Sequence, residues 1–339
     1  MKVSVIIASY NRSAQITGLI KDLEEQDFPK DQFEVCIVDD GSEENEFLEI
    51  SDYVVNQSTK VKLIRQQNKG QATARTVGVE NTTGEIIIIL DDDMRLPGKD
   101  FIQAYVDYHE KSRVPSVVLG HIDPPPAHVK RPSFELFHDA NFERMYNSFQ
   151  DGSDKPSGHS FYTGNVSLPR KLFDEVGGFD RSFTLMEDRE LGLRIEDKTN
   201  AEFLYGERAV SLHYSLRGDT SSFMKRCQEY GKFDWIMIQR LPHRTDIDPL
   251  FLLIRQSRLR LFVIKCAAQF IFLTPFINQC LLALLFFTEK LPNKKPTVFV
   301  QRLVYLLNYF YGFQMGVGDK QKVLEKLDRY EIKEDQTGG

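Results

Sequence analysis

The chain predicts an α/β fold, a largely parallel sheet with helices on both faces, followed by an α-helical C-terminal region. Three observations lead there. Short apolar runs alternate with helical repeats through the first ninety residues, and each run ends in polar or acidic residues. Beyond about residue 220 the sequence turns helical, aromatic and leucine-rich, with no further strand-plus-acid pattern. Strands that alternate with helices build a parallel sheet covered on both sides.

Taken in order, Val3 to Ala8 is an apolar run of the length of a buried parallel strand. Ile16, Leu19, Ile20 and Leu23 then repeat at i, i+3, i+4 and i+7, one face of a helix. Phe33 to Val38 is a second strand, running into Asp39-Asp40-Gly41-Ser42, and Val61 to Ile64 a third, ending near Asn68-Lys69-Gly70. A helix from about Gln71 to Glu80 leads to the run Glu85 to Leu90, which passes straight into Asp91-Asp92-Asp93. Ligands of open α/β sheets bind beyond the carboxyl ends of the strands, so these polar clusters should share one rim. A helix near Phe101 to Lys111 follows, then a break at Asp123-Pro124-Pro125-Pro126, where three prolines can continue neither a helix nor a central strand. Phe134 to Phe149 reads as an aromatic-rich helix, 151–158 as a loop, and Glu187 to about Asp197 as a helix. Phe203 to Tyr205 and Ala209 to Leu212 read as two strands before His213.

With 339 residues, 41% of them hydrophobic, the chain can bury a sizeable core and suggests two domains on a rule of ~150 residues each. We place them at 1–220 and 221–339. A net charge of −6 argues against a duplex nucleic-acid binder and so against a nucleic-acid partner. Cys36, Cys227, Cys266 and Cys280 form no CxxC pair and read as buried thiols of a reducing compartment. The apolar run after Met1 is too short for a signal peptide, so the catalytic part is expected in the cytoplasm.

The strongest chemical feature is Asp91-Asp92-Asp93. Three adjacent carboxylates after an apolar strand repel one another unless a cation is present, and hard divalent ions share such ligands with phosphates. Glu187-Asp188 opens a helix, where acids serve either as ordinary capping or, near a metal site, as a general base. His213 follows a strand and is either a structural imidazole or a metal ligand. Asp39 to Ser42 has good turn chemistry and also suits a base or ribose contact. Lys69 and Arg75 flank a helix N-terminus, a natural anion site.

Together these residues resemble family 2 glycosyltransferases, which have the GT-A fold. The segments VSVIIASYNR (3–12), VDDGS (38–42), NKGQATARTVGV (68–79), the DDD cluster, TGNVSLPR (163–170), GGFDRSF (177–183), EDRELGLR (187–194) and His213 occur in family order. Thr76 departs from the pattern, which often has Asn there. The resemblance implies a Rossmann-like nucleotide-binding domain with a mixed, mostly parallel sheet. It implies a nucleotide-sugar donor, a glycan or lipid-linked acceptor, and a divalent cofactor, Mn²⁺ or Mg²⁺. Ser9, Tyr10, Arg12 and Asp40 would hold the nucleotide, with Lys69, Gly70 and Arg75 near the uridine or diphosphate and Asp91 and Asp92 on the same ligand. Asp91, Asp92, Asp93 and His213 form the implied metal set. Asp188 would be the catalytic base with Glu187 beside it, and His159, Gly164, Asn165 and Glu187 would meet the donor sugar or acceptor.

The C-terminal region suggests a membrane surface. From Leu250 to Lys265 apolar residues mix with Arg255, Arg258 and Arg260, and Cys266 to Thr288 carries no charge. Gln269, Pro275, Asn278 and Gln279 would be costly in lipid, so an interfacial helix pair is expected in place of a span, peripheral on the inner face of the membrane. A true span, a soluble helical core and a homodimer face are the alternatives. Two rival activities are a sugar-phosphate nucleotidyltransferase, which would want glycines in the loop after the first strand, and a non-catalytic scaffold, which would have lost its carboxylates.

Overall fold

The computed structural model describes residues 1–215, 219–248, 265, 266 and 268–327. It divides into two compact units, one of residues 1–131 and 141–215 and one of residues 132–140 with the described residues beyond 215. The sequence boundary near 220 misses the excursion of 132–140 into the second unit.

In the first unit the elements follow as β1 (Val3–Ser9), α1 (Ser13–Glu24), β2 (Phe33–Asp39), α2 (Glu44–Val54), β3 (Lys60–Arg65), α3 (Gln71–Glu80), β4 (Ile86–Asp91) and β5 (Met94–Arg95). After them come α4 (Phe101–Lys111), β6 (Ser116–Asp123), α5 (Glu135–Gln150, whose residues 135–140 belong to the second unit), β7 (Asn165–Pro169), α6 (Arg170–Glu175), α7 (Glu187–Lys198) and β8 (Glu202–His213). Among the described residues eight strands make one sheet in the order β3-β2-β1-β4-β7-β6-β8-β5. The pairs β3–β2, β2–β1, β1–β4 and β6–β8 are parallel, while β7 runs antiparallel between β4 and β6 and β5 antiparallel to β8. The sheet is therefore mixed and mostly parallel.

The all-apolar strands are explained by their two covered faces. In β4, Ile86, Ile88 and Leu90 join one core with Ile16, Leu19 and Ile20 of α1. Ile87 and Ile89 join the other with Ala72 and Val79 of α3 and Leu191 and Ile195 of α7. Each such side chain contributes roughly 1.5–3 kcal/mol on burial. The two strands read between Phe203 and Leu212 are one strand. Its pairing with β6 skips from Gly120–Gly206 to His121–Val210, so the break lies in a bulge and not in a turn.

In the second unit α8 (Thr220–Arg240), α9 (Thr274–Thr288) and α10 (Lys295–Val317) dominate. α8 and α10 cross closely: a Cβ on Gly231 would stand 2.0 Å from the Tyr309 carbonyl oxygen, and one on Gly312 1.8 Å from that of Gln228. Phe134, Phe137, Phe223, Leu285, Val300 and Val304 form one cluster of this unit. Of the cysteines, Cys36 and Cys227 are buried as expected, but Cys266 is half-buried and Cys280 exposed.

Candidate active site

The parallel registers bring four strand ends to one rim. Ser9 pairs with Asp39, Ala8 with Asp91, and Asp39 with Arg65. The loops after them are tied together. The Asn11 amide donates to Ser42 Oγ at 2.8 Å, and Asn11 Oδ1 accepts from the Glu43 amide at 2.8 Å, with Asn11 in the left-handed region at φ 53°. The buried Asp40 carboxylate accepts from the amides of Lys69 and Gly70, each at 2.9 Å, and from Gln66 Nε2 at 2.7 Å. Asp40 therefore shapes the loop that feeds α3. Gly70 caps that helix at φ 85°, a conformation glycine adopts without strain. Tyr10 and the Lys69 side chain are exposed at the rim, whereas Ser9 is buried.

The acid trio is met by two arginines. Arg12 Nη1 lies 3.1 Å from Asp92 Oδ1 and also pairs with Asp93 Oδ2. Arg75 Nη2 lies 2.6 Å from Asp91 Oδ1. Two guanidinium groups thus offset part of the charge of the trio, one of them, Arg75, being shared with Glu187. Burial pulls both guanidinium pKa values down, and the facing carboxylates more than reverse it, so both stay charged.

Arg75 does more. It is fully buried, and its Nη1 pairs with Oε1 of Glu187, the first residue of α7. One side chain therefore ties the end of β4 to the start of α7 and sets Asp188 beside the strand-end acids. Burial and the neighbouring Glu187 charge push the Asp188 carboxyl up to about 7, against the opposing pull of Arg75. Met186, just before this helix, is held in the left-handed region at φ 62°, a conformation uncommon outside glycine. His159 Nδ1 stands 3.2 Å from Arg189 Nη2, on the first turn of the same helix.

Three of the expected site residues have partners inside the protein. Glu187 is buried and paired with Arg75, so it helps position α7. Asn165 is buried as well. Its Oδ1 accepts from Tyr105 Oη at 2.6 Å, and its Nδ2 donates to the carbonyls of His121 at 3.0 Å and Ala209 at 2.9 Å. With the amide so engaged, Asn165 holds the sheet together below Gly164. Gly164 stays at the site: a Cβ there would stand 3.5 Å from Asp91 Oδ2. Lastly, Arg75, expected near the uridine or diphosphate, is buried and ties Asp91 to Glu187. The pairing partners of a buried arginine lie far apart in sequence, so spacing alone could not reveal this role.

The two-residue strand β5 explains His213. Met94 pairs with His213 at the end of β8, and the Tyr214 amide donates to the Asp93 carbonyl at 2.8 Å. His213 Nε2 consequently lies 3.5 Å from Asp93 Oδ1. Among the described residues no three His, Cys, Asp or Glu side chains enclose an ion. A carboxylate and an imidazole this close nevertheless fit a divalent ion that takes its remaining ligands from phosphate and water, since two adjacent donors on one ion stand about 3 Å apart.

This architecture is that of a GT-A glycosyltransferase. The mannosyltransferase PcManGT from Pyrobaculum calidifontis, solved with GDP-Man and Mn²⁺, matches it with a TM-score of 0.62 at 17% identity, over 92% of this chain and 86% of its own. S. aureus TarS 1–349 with UDP-GlcNAc matches with a TM-score of 0.56 at 19% identity, over 94% and 93%. The chain itself belongs to glycosyl transferase family 2, whose model matches residues 4–177, and is a glycosyltransferase. Among its relatives, the glucosyl-dolichyl phosphate glucuronosyltransferase of Haloferax volcanii is 26% identical over 70% of this chain and 74% of its own length. Validoxylamine A glucosyltransferase of Streptomyces hygroscopicus is 31% identical over 57% of this chain and 51% of its own. Of full-length S. aureus TarS the chain spans only 19%, at 33% identity.

Proposed function

We propose that the chain transfers a sugar, with inversion, from a nucleotide-diphosphate donor, a UDP-sugar, to a hydroxyl of a glycan or lipid-linked acceptor in cell-surface glycan synthesis. The observation that carries this reading is the Arg75 tether, which sets a carboxyl of raised pKa, Asp188, beside a rim of strand-end acids. A base titrating near neutrality is the kind that can both accept a proton and exist unprotonated at working pH. Asp188 takes the proton of the acceptor hydroxyl as that oxygen bonds to the anomeric carbon and the bond to the diphosphate oxygen breaks. The Asp40 loop, with the exposed Tyr10 and Lys69 around it, frames the nucleotide. Asp93 and His213, with Asp91 and Asp92 on the same rim, would hold Mn²⁺ or Mg²⁺. When bound, such an ion supplies positive charge to the departing diphosphate. The donor complexes of PcManGT and TarS, with GDP-Man and UDP-GlcNAc, support a nucleotide sugar as the donor class.

The test is a thermal-shift and turnover screen of nucleotide sugars with and without Mn²⁺. One UDP-sugar should raise the melting temperature and release UDP, and EDTA should abolish release. Release that persists in EDTA overturns the metal assignment, and stabilisation by GDP-sugars alone overturns the choice of UDP.

A further inference from the structure

Helix α9 is amphipathic in the wrong sense for water. The side chains it buries in the second unit are Thr274, Asn278, Leu285 and Thr288. The side chains it and the turn before it expose include Phe272 and Phe276, each 70% exposed, with Phe287 at 65% and Phe286 at 57%. Phe272, Phe276, Cys280, Ala283 and Phe287 recur every three or four residues and so make one outward stripe. The buried amides are satisfied inside the bundle: Asn278 Nδ2 donates to Asn308 Oδ1 at 3.1 Å and Asn308 Nδ2 returns a bond to Asn278 Oδ1 at 2.9 Å. Gln228 Nε2 donates to the same Asn308 oxygen at 2.9 Å. The polar residues that argued against lipid in the sequence thus split by place, with Asn278 facing inward and Pro275 and Gln279 staying at the surface.

Charge surrounds one end of the stripe. Residues 266–295 contain a single acid, Glu289, against Lys290, Lys294 and Lys295, all at the end of α9 and the turn into α10. The Lys290 ammonium lies 3.9 Å from the centroid of the Phe286 ring. A cation over an exposed aromatic, beside an apolar stripe, suits the boundary between acyl chains and headgroups. The uncharged stretch Ile271–Thr288 has a mean hydropathy of 1.9 and is only 22% buried, whereas the core helix of a soluble protein of that hydropathy is mostly buried. The basic stretch 250–264 lies outside the described residues.

We propose that α9 is a docking surface for an anionic lipid bilayer, lying in the interface with its phenylalanine stripe among the acyl chains and Lys290, Lys294 and Lys295 at the headgroups. The test is flotation of the full chain with vesicles of phosphatidylcholine alone and with added phosphatidylglycerol. The protein floats with the mixed vesicles and much less with the neutral ones. The double substitution Phe276→Ser/Phe287→Ser lowers the partition coefficient about tenfold or more without moving the thermal midpoint, and Lys290→Gln/Lys294→Gln/Lys295→Gln acts like added salt. In a Cys266→Ser background, a polarity-sensitive probe on the exposed Cys280 shifts to the blue on these vesicles, a readout that leaves the phenylalanines intact. The proposal is overturned if the wild type stays unbound, or if the double variant floats like the wild type. It is also overturned if sedimentation shows a dimer that the double variant splits while no vesicle binds, since the stripe would then pair two copies of the chain. None of these outcomes touches UDP release, so they are separate from the test of the donor site.

Discussion

Helices α7 and α9 both break the rule that a helix hides apolar and shows polar side chains, and they break it differently. α7 buries charge at its N-terminus, Glu187, and has an internal counter-charge in Arg75. α9 buries neutral amide and hydroxyl groups, pairs Asn278 within its bundle, and leaves its phenylalanines largely exposed. The first exception is closed inside the protein and creates a site. The second stays open at the surface, where the proposed lipid contact would cover it.

The largest effect expected from breaking this comparison is at the site itself. Asp188→Asn should reduce transfer by ~10²–10⁴-fold while calorimetric donor binding survives. A raised carboxyl pKa favours the protonated form in the fold, so Asp188 costs stability as pH rises from the ordinary carboxylate range through about 7. The Asn variant should therefore melt no lower than the wild type at pH 8. An Asn variant that transfers sugar normally removes Asp188 from the mechanism.

Arg75 comes next. Arg75→Met leaves Glu187 and Asp91 facing each other without their shared cation, and chemical denaturation should show a loss of about 3–5 kcal/mol. A loss below 1 kcal/mol would mean the tether is not needed to hold α7. The pH profile sharpens the point. In the wild type, kcat/KM should rise with pH through about 7 as Asp188 loses its proton. Glu187→Gln removes a charge that raises Asp188, so the acid limb should move to lower pH. The weakest effects belong to α9. Asn278→Leu should cost about 1–3 kcal/mol by leaving Asn308 short of a partner, whereas Phe276→Ser should stay within about 0.5 kcal/mol. If the exposed phenylalanine proves the costlier of the two, the stripe has a partner within the chain and the contrast with α7 fails.

Much of the first unit was legible because its signals are local. Apolar runs and helical spacing recovered β1, α1, β2, β3, α3, β4 and α4 close to their observed limits, and the polar residues after the strands marked the rim. Helix α2 was missed because its apolar face is thin, with Ile50 its only fully buried residue. The antiparallel β7 was missed because a five-residue strand between two others has no periodicity of its own to read.

The sequence by itself determined where the strands stop and which acids stand there, because a strand end is written in a few consecutive residues. Only the tertiary structure decided that Arg75 joins Asp91 to Glu187, that Asn165 serves the sheet, that β5 brings His213 to Asp93, and that α9 turns its amides inward. Each of those outcomes depends on which distant group satisfies a buried charge or amide. A hydrogen bond or ion pair across a hundred residues leaves no periodic trace in the chain that forms it.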